Sequence, residues 1–314
     1  MVWPDLAFWP RDLDRTASDA IVKNIAQSTG MSETLIEAMT LRGLVSRMGY
    51  SQSNSGIQHG ILPVGIYHRI RRRHGQQYCP DCLRSAPPYL RRIWRLEWVV
   101  YCATHNCRLQ DACWKCDAPF IPHRNNSLLE RKCFHCETSL TEVSFVVSNS
   151  EAQQLQQLLM GMLNENHKSI EQTKLQWIRL VSTHEIFDGV RRLCRLLKYS
   201  IDGQGLAYRR IGVIWDYLRI NEREKVLGQV FRWLKDWPDA FATWGESNKI
   251  SQERLREYGL WPAWVETEID RFYSFGPRKK RKPSRTLSIL KSMHGNTTAY
   301  RVARAKFLLD RALA

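Results

Sequence analysis

Seven of the nine cysteines, together with one histidine, fall into four pairs of identical spacing: Cys79-Pro-Asp-Cys82, Cys102-Ala-Thr-His105, Cys113-Trp-Lys-Cys116 and Cys133-Phe-His-Cys136. Two ligands separated by two residues make a knuckle, a turn that aims both side chains at one ion while backbone amides face the thiolates. Two knuckles complete a tetrahedral site and leave no open position for a substrate. Four knuckles between Cys79 and Cys136 therefore predict two closed sites. Sequential pairing gives Cys79, Cys82, Cys102 and His105 across a 19-residue loop, then Cys113, Cys116, Cys133 and Cys136 across a 16-residue loop. These spacings suit zinc ribbons. A cross-braced arrangement, first knuckle with third and second with fourth, has compatible spacing as well.

Other uses of these cysteines fit less well. A redox Cys-x-x-Cys needs one pair, not four matched ones. An iron–sulfur cluster takes four cysteines, whereas the first set here is three cysteines and a histidine. Two structural Zn²⁺ ions are the expected cofactors. Cys107 and Cys194 are left over and read as small buried residues. His123 and His135 read as bystanders.

The chain has 314 residues, 43% of them hydrophobic and 25% charged, as in ordinary folded domains. Its 47 Lys and Arg exceed its 31 Asp and Glu, for a net charge of +16. Such an excess attracts polyanions and points to nucleic acid or a nucleoprotein. No apolar run approaches the ~18–20 residues a membrane span requires. The apolar patch near the N-terminus is broken by Pro4, Asp5 and Pro10 and lacks a basic lead, so a secretory signal is not expected. The expected setting is the reducing interior of the cell, where disulfides do not persist.

Ile21, Ile25, Met31, Leu35, Ile36 and Met39 recur at helical spacing, with Gly30-Met31-Ser32 as an interruption. Helix, short turn and helix is the layout of a DNA-reading helix-turn-helix, and equally of a helical hairpin packed on a core, the commoner case. Tyr50–Gly65 reads as a loop. Arg69, Arg71, Arg72 and Arg73 precede the first knuckle, and Arg91 and Arg92 lie among Tyr89, Trp94 and Trp98. The tryptophans read as core and the arginines as a polyanion surface. Beyond residue 150, Leu155, Leu158, Leu159 and Met162 form one helical face, and Val190, Leu193, Leu196 and Leu197 another. Arg191, Arg192 and Arg195 are expected on a solvated helix back. Ile211–Ile220 reads as a helix bounded by Asn221, and Val230–Trp237 as one stopped by Pro238. Arg278, Lys279, Lys280, Arg281 and Lys282 form a basic run, read as a nucleic-acid-binding arm ahead of a helical tail.

The predicted fold is mainly α with small zinc-ribbon elements: helix-turn-helix-like N-terminal helices, tandem zinc fingers and a C-terminal helical domain. The expected regions are 1–75, 76–145, 146–275 and 276–314. No phosphate loop, nucleophile elbow or dinucleotide fingerprint is present. Asp81, Glu97 and Asp111 are acids of the type that holds Mg²⁺ for phosphodiester chemistry, but they lie beside closed knuckles with no strand-borne carboxylate cluster around them. An enzyme is not expected.

Read in order, the segment from Tyr78-Cys-Pro-Asp-Cys82, through Tyr89-Leu-Arg-Arg-Ile-Trp94 and Cys102-Ala-Thr-His105-Asn-Cys-Arg-Leu109, to Cys113-Trp-Lys-Cys116 resembles the TniQ family. The helices within Ala20–Gly43 look like that family's N-terminal helices. Trp237-Pro-Asp-Ala-Phe241 is similar to a helix end of CRISPR-associated relatives. The resemblance implies target-site selection for a transposon without cutting DNA. It carries the eight ligands over as two zinc sites, with Cys107 outside the set. Some members read a DNA attachment site directly, as TnsD-like proteins; others bind as homodimers to the RNA-guided Cascade ribonucleoprotein. Both kinds recruit the AAA+ regulator TnsC to target DNA. The compact length favours the Cascade-associated kind, with the TnsD-like reader as alternative. Outside the family, the alternative is a zinc-ribbon transcription or RNA-binding factor.

Overall fold

Serines set five of the helix starts among the described residues. In the computed structural model, which describes residues 12–53, 57–64, 74–85, 87–122, 130–143, 150–165, 175–199, 206–208 and 215–274, Ser18, Ser32, Ser150, Ser182 and Ser251 each cap a helix. Each side chain accepts the backbone N–H three residues on. Such a cap is worth about 1 kcal/mol relative to alanine. The chain divides into two units, Met1–Tyr273 and Ser274–Ala314. The basic run Arg278, Lys279, Lys280, Arg281 and Lys282, the tail after it, and Arg69, Arg71, Arg72 and Arg73 all lie outside the described residues.

Four short helices open the described chain: α1 (Leu13–Thr16), α2 (Asp19–Thr29), α3 (Glu33–Ala38) and α4 (Arg42–Arg47). Gly30 ends α2 in the left-handed region at φ 71°, where a residue without Cβ is least strained. Ala17, Val22, Ala26 and Ile36 make a small core of their own. Leu35 and Met39 do not join it: they are 47% and 48% exposed. The turn at Gly30 resets the helical phase, and the six-residue α3 has room to bury only Ile36. The expected loop between Tyr50 and Gly65 has no helix among its described residues. It is organised by Gln58, which accepts from the Ser53 N–H at 2.7 Å and donates to the Ser51 carbonyl at 3.1 Å.

Helix α5 (Pro80–Arg84) and the hairpin of β1 (Tyr101–Cys102) with β2 (Cys107–Arg108) lie in the cysteine-rich region. The C-terminal half follows as α6 (Glu151–Leu163), α7 (Thr183–Leu196), α8 (Ile220–Lys235), α9 (Asp239–Ser247), α10 (Gln252–Arg256) and α11 (Ala263–Ile269), with β3 (Leu197–Tyr199) antiparallel to β4 (Leu206–Tyr208). Leu155, Leu158, Leu159 and Met162 are buried together as their spacing predicts, and so are Val190, Leu193 and Leu196. Leu197 is buried too, but begins β3 instead of ending the helix. The expected helix Ile211–Ile220 is corrected. Trp215–Tyr217 is a 3₁₀ turn, Ile220 starts α8, and Asn221 sits in its first turn. The start is fixed from far along the chain, because the Asp111 carboxylate accepts the Ile220 N–H at 2.8 Å.

A second correction concerns charge. Arg191 is buried, not solvated: it contacts Asp216 at 3.0 Å and Glu97 at 3.4 Å. Arg192 pairs with Asp188 at 2.6 Å, and Arg195 lies 5.9 Å from the Tyr258 ring centre. Arg95 is also buried and reaches the Leu62 carbonyl at 2.9 Å and Asp12 at 3.2 Å, holding the α1 end against the core. Arg223 donates to the Glu97 carbonyl at 2.8 Å and to Gln77 at 3.0 Å. Trp94 and Trp98 are buried core residues, as expected.

Burial, with the Asp216 carboxylate beside it, raises the Glu97 carboxyl to about 8 from an ordinary value of 4.5, against the opposing pull of Arg191. The folded chain thus holds a proton that the unfolded chain releases near 4.5. Its stabilisation is complete below that pH and is lost as pH rises through about 8. Between pH 6 and 8, Glu97→Gln is expected to flatten the fall of unfolding free energy by up to about 1.4 kcal/mol per pH unit. Parallel denaturant titrations of both proteins check this; identical slopes would contradict it.

Candidate metal centre

Three of the four knuckles share one backbone device. The residue after the second ligand is left-handed in each: Asn106 at φ 48°, Asp117 at φ 57° and Glu137 at φ 57°. In the second cluster the two turns match bond for bond. The Asp117 N–H donates to the Cys113 carbonyl at 3.0 Å, as Glu137 does to Cys133 at 3.0 Å. Cys113 N–H meets the Ala118 carbonyl at 2.8 Å, and Cys133 N–H the Thr138 carbonyl at 2.9 Å. Left-handed backbone costs a non-glycine residue about 1–2 kcal/mol, and here the closing hydrogen bonds of each turn hold it. The first knuckle is built differently. Cys79 is the N-cap of α5, and its sulfur accepts the Cys82 N–H at 3.4 Å.

These turns bring Cys79, Cys82, Cys102 and His105 together, and separately Cys113, Cys116, Cys133 and Cys136, with all ligand atoms in each set within 4.8 Å of one another. The pairing is the sequential one. In the first set, His105 Nδ1 lies 3.5, 3.2 and 3.7 Å from the sulfurs of Cys79, Cys82 and Cys102. In the second, Cys113–Cys136 and Cys116–Cys133 sulfurs are 3.6 and 3.7 Å apart. Zinc bonds of ~2.3 Å to sulfur and ~2.0–2.1 Å to nitrogen place tetrahedral ligand atoms about 3.5–3.8 Å apart. Both sets fit a four-coordinate metal, with donors of the type zinc prefers.

Cys107 is buried, as expected, but against thiols. The hairpin register sets it opposite Cys102, and its sulfur is 3.4 Å from that of Cys79. Hydrogen bonds from Cys107 and Cys79 push the Cys102 thiol well below its ordinary range, and the same contacts push Cys79 up. Burial raises Cys113 to about 12, while Thr138 hydrogen bonds lower Cys136 to about 6. Cys194 is buried in the main core, and the His135 side chain is exposed. His123 lies outside the described residues.

The surroundings differ between the sets. Cys79, Cys82, Cys102 and Cys107 belong to the same core cluster as the C-terminal helices. Cys113 and Cys133 belong to a small separate one with Tyr78, Leu83, Phe120 and Leu140. Arg219 ties that small cluster to α8, reaching Asp111 at 3.2 Å and Asp117 at 2.8 Å. Asp81, Glu97 and Asp111 each have a cationic partner, in Arg84, Arg191 and Arg219 respectively.

Of the proposed surface cations, the two among the described residues, Arg91 and Arg92, have partners within the chain. Arg91 hydrogen-bonds the Cys82 thiol and lies 5.3 Å from the Tyr89 ring centre. Arg92 is exposed, yet donates to the Thr40 carbonyl at 2.9 Å. Sequence reasoning missed Arg219, whose isolated charge gives no sign of a partner 108 residues away.

Residues 4–109 match the TniQ family model. Through that segment, about a third of its length, the chain is similar to the TniQ family. The match takes in the N-terminal helices and the whole first ligand set, and stops short of Cys113. It associates the chain with target selection in transposition. No curated protein and no solved structure gave a significant match. Among the described residues no helix is long and apolar enough to cross a membrane.

Metal analysis is expected to return two zinc ions per chain. Cys113→Ser should lose one ion and disorder the small cluster while the helical core keeps its cooperative unfolding. Cys102→Ser should lose that transition, because metal-binding energy there is core-folding energy. Mass spectrometry under native conditions with thermal melts reads both; a Cys102→Ser protein with two ions and an unchanged melt would refute the ligand assignment.

Proposed function

We propose that this TniQ-family chain is a non-catalytic adaptor for transposition. In this reading it links an RNA-guided Cascade ribonucleoprotein to the TnsC AAA+ regulator, and through it to target DNA. Two Zn²⁺ ions, one on Cys79, Cys82, Cys102 and His105 and one on Cys113, Cys116, Cys133 and Cys136, serve as structural pins. Closed four-ligand sets offer no place for a substrate, so the metal supplies shape and not chemistry.

The observation that carries the choice of an adaptor over a direct DNA reader is the character of α3. A helix that enters a DNA groove needs cations against phosphate. Helix α3 instead carries Glu33 and Glu37 and no Lys or Arg, with Leu35 and Met39 half-exposed beside them. That mixture suits a protein surface. In the proposed division of labour, region 1–75 docks protein, 76–145 fixes its orientation, and 146–275 forms the platform. The cations of Arg69, Arg71, Arg72, Arg73, Arg91, Arg92 and the arm from Arg278 to Lys282 add attraction to nucleoprotein. The adaptor works as a homodimer at the bacterial nucleoid.

Affinity purification of the tagged chain from cells expressing Cascade and TnsC of the same locus tests this. Stable co-elution with both is expected, with Leu35→Asp reducing it at least tenfold and leaving the melting temperature unchanged. Sequence-specific binding to bare duplex DNA without Cascade would move the assignment to the TnsD-like reader.

A further inference from the structure

Away from the metal clusters, an open groove of about 410 Å³ runs between α8 and α9. Its volume is in the range of small-ligand sites. Two tryptophans line it. Trp233 is 1% exposed, and its indole Nε1–H has no hydrogen-bond partner among the described residues. Trp233 therefore backs the groove from within the core. Trp244 is half-buried and held in place by its neighbours, with its ring 4.7 Å from Trp233 and stacked on Phe241 at 6.0 Å and 14°. A plate fixed in this way loses little freedom when a flat partner lies against it.

Cations line the same groove. Arg232 and Lys235 are one turn apart on α8, and both are exposed. Arg232 touches Gln229 at 3.1 Å and Glu151 at 3.5 Å, with both charged side chains in solvent. Surface pairs of that kind are worth little and yield readily to another anion. Gln229 and Asp236 add polar groups to the lining. A fixed aromatic face beside two neighbouring cations is complementary to one unstacked base with its phosphates.

We infer that this groove binds single-stranded nucleic acid, stacking one base on Trp244 and holding the flanking phosphates with Arg232 and Lys235. The strand is an RNA or a displaced DNA strand, which share this chemistry. The inference does not rest on the Cascade reading, and a bare oligonucleotide tests it without Cascade or TnsC.

The experiment is fluorescence anisotropy of the full zinc-loaded chain with a labelled ten-nucleotide RNA, the DNA strand of the same sequence, and the matching duplex. Both single strands are expected to bind more tightly than the duplex. Trp244→Ala should weaken single-strand binding roughly 5- to 150-fold and leave duplex binding unchanged. Lys235→Ala, at an exposed position, should lower the slope of log affinity against log salt by about 0.7 for single strands. Tighter RNA than DNA would identify RNA as the strand, with the 2′-hydroxyl read in the groove; equal affinity would identify the base and phosphates as the whole of the recognition. If Trp244→Ala fails to fold, Lys235→Ala and Arg232→Ala carry the test. Single-strand affinity and salt slope unchanged in folded variants, or a duplex bound as tightly as the strands, would overturn the proposal.

Discussion

The first ligand set sits inside the main hydrophobic core, and the rest of the structure depends on that placement. Between Gln76 and Asp111 the described residues include one five-residue helix, a 3₁₀ turn and four strand residues, too little regular structure to hold the segment in place. What holds it is the convergence of Cys79, Cys82, Cys102 and His105, packed in one cluster with Trp94, Trp98 and the helices beyond residue 150. Four ligand atoms at tetrahedral spacing let a single cation replace the hydrogen-bond ladder that such a segment lacks. Leu96, Val99 and Val100 are fully buried in the same cluster, so closure of the set and burial of this segment are one event.

Around that centre, the joints between distant segments are made by buried polar groups. Gln156 of α6 accepts the N–H groups of Val100 and Tyr101 at 2.7 and 2.9 Å, and donates to the Tyr101 carbonyl at 2.9 Å. It does for β1 what a neighbouring strand would. Arg223, fully buried, joins α8 to the Glu97 carbonyl and Gln77, and burial lowers it to about 10. Buried charges of this kind add little net stability over apolar replacements, but removing one partner leaves the other stranded. They specify which surfaces meet.

The family match and the geometry bear on different parts of the chain. The match ends at residue 109, within reach of the first set only. The second set has its own small core and is attached through Arg219, Asp111 and Asp117. The chain therefore combines a segment similar to the TniQ family with a satellite cluster and a set of C-terminal helices, and the aromatic groove belongs to those helices. Acidic, partly apolar α3 and the cationic groove lie on separate helices, which suits one protein-facing and one nucleic-acid-facing surface.

Spacing alone determined the metal centres. A Cys-x-x-Cys knuckle is a local object whose geometry is set within a few residues, so the eight residues that gather into two candidate metal clusters were legible, as were the buried Trp94 and Trp98 and the apolar faces of α6 and α7. The pairing of knuckles was not, because sequential and cross-braced loops have the same spacings and only the packed chain chooses between them. Nor were the fates of Arg95, Arg191, Arg219 and Arg223, which look like surface cations until their partners Asp12, Asp216, Asp111 and Gln77 arrive from elsewhere in the chain. The start of α8 was misplaced for the same reason: its capping carboxylate, Asp111, is 109 residues away. Local chemistry is written in short sequence windows, whereas the burial of a charge depends on which distant segment folds against it.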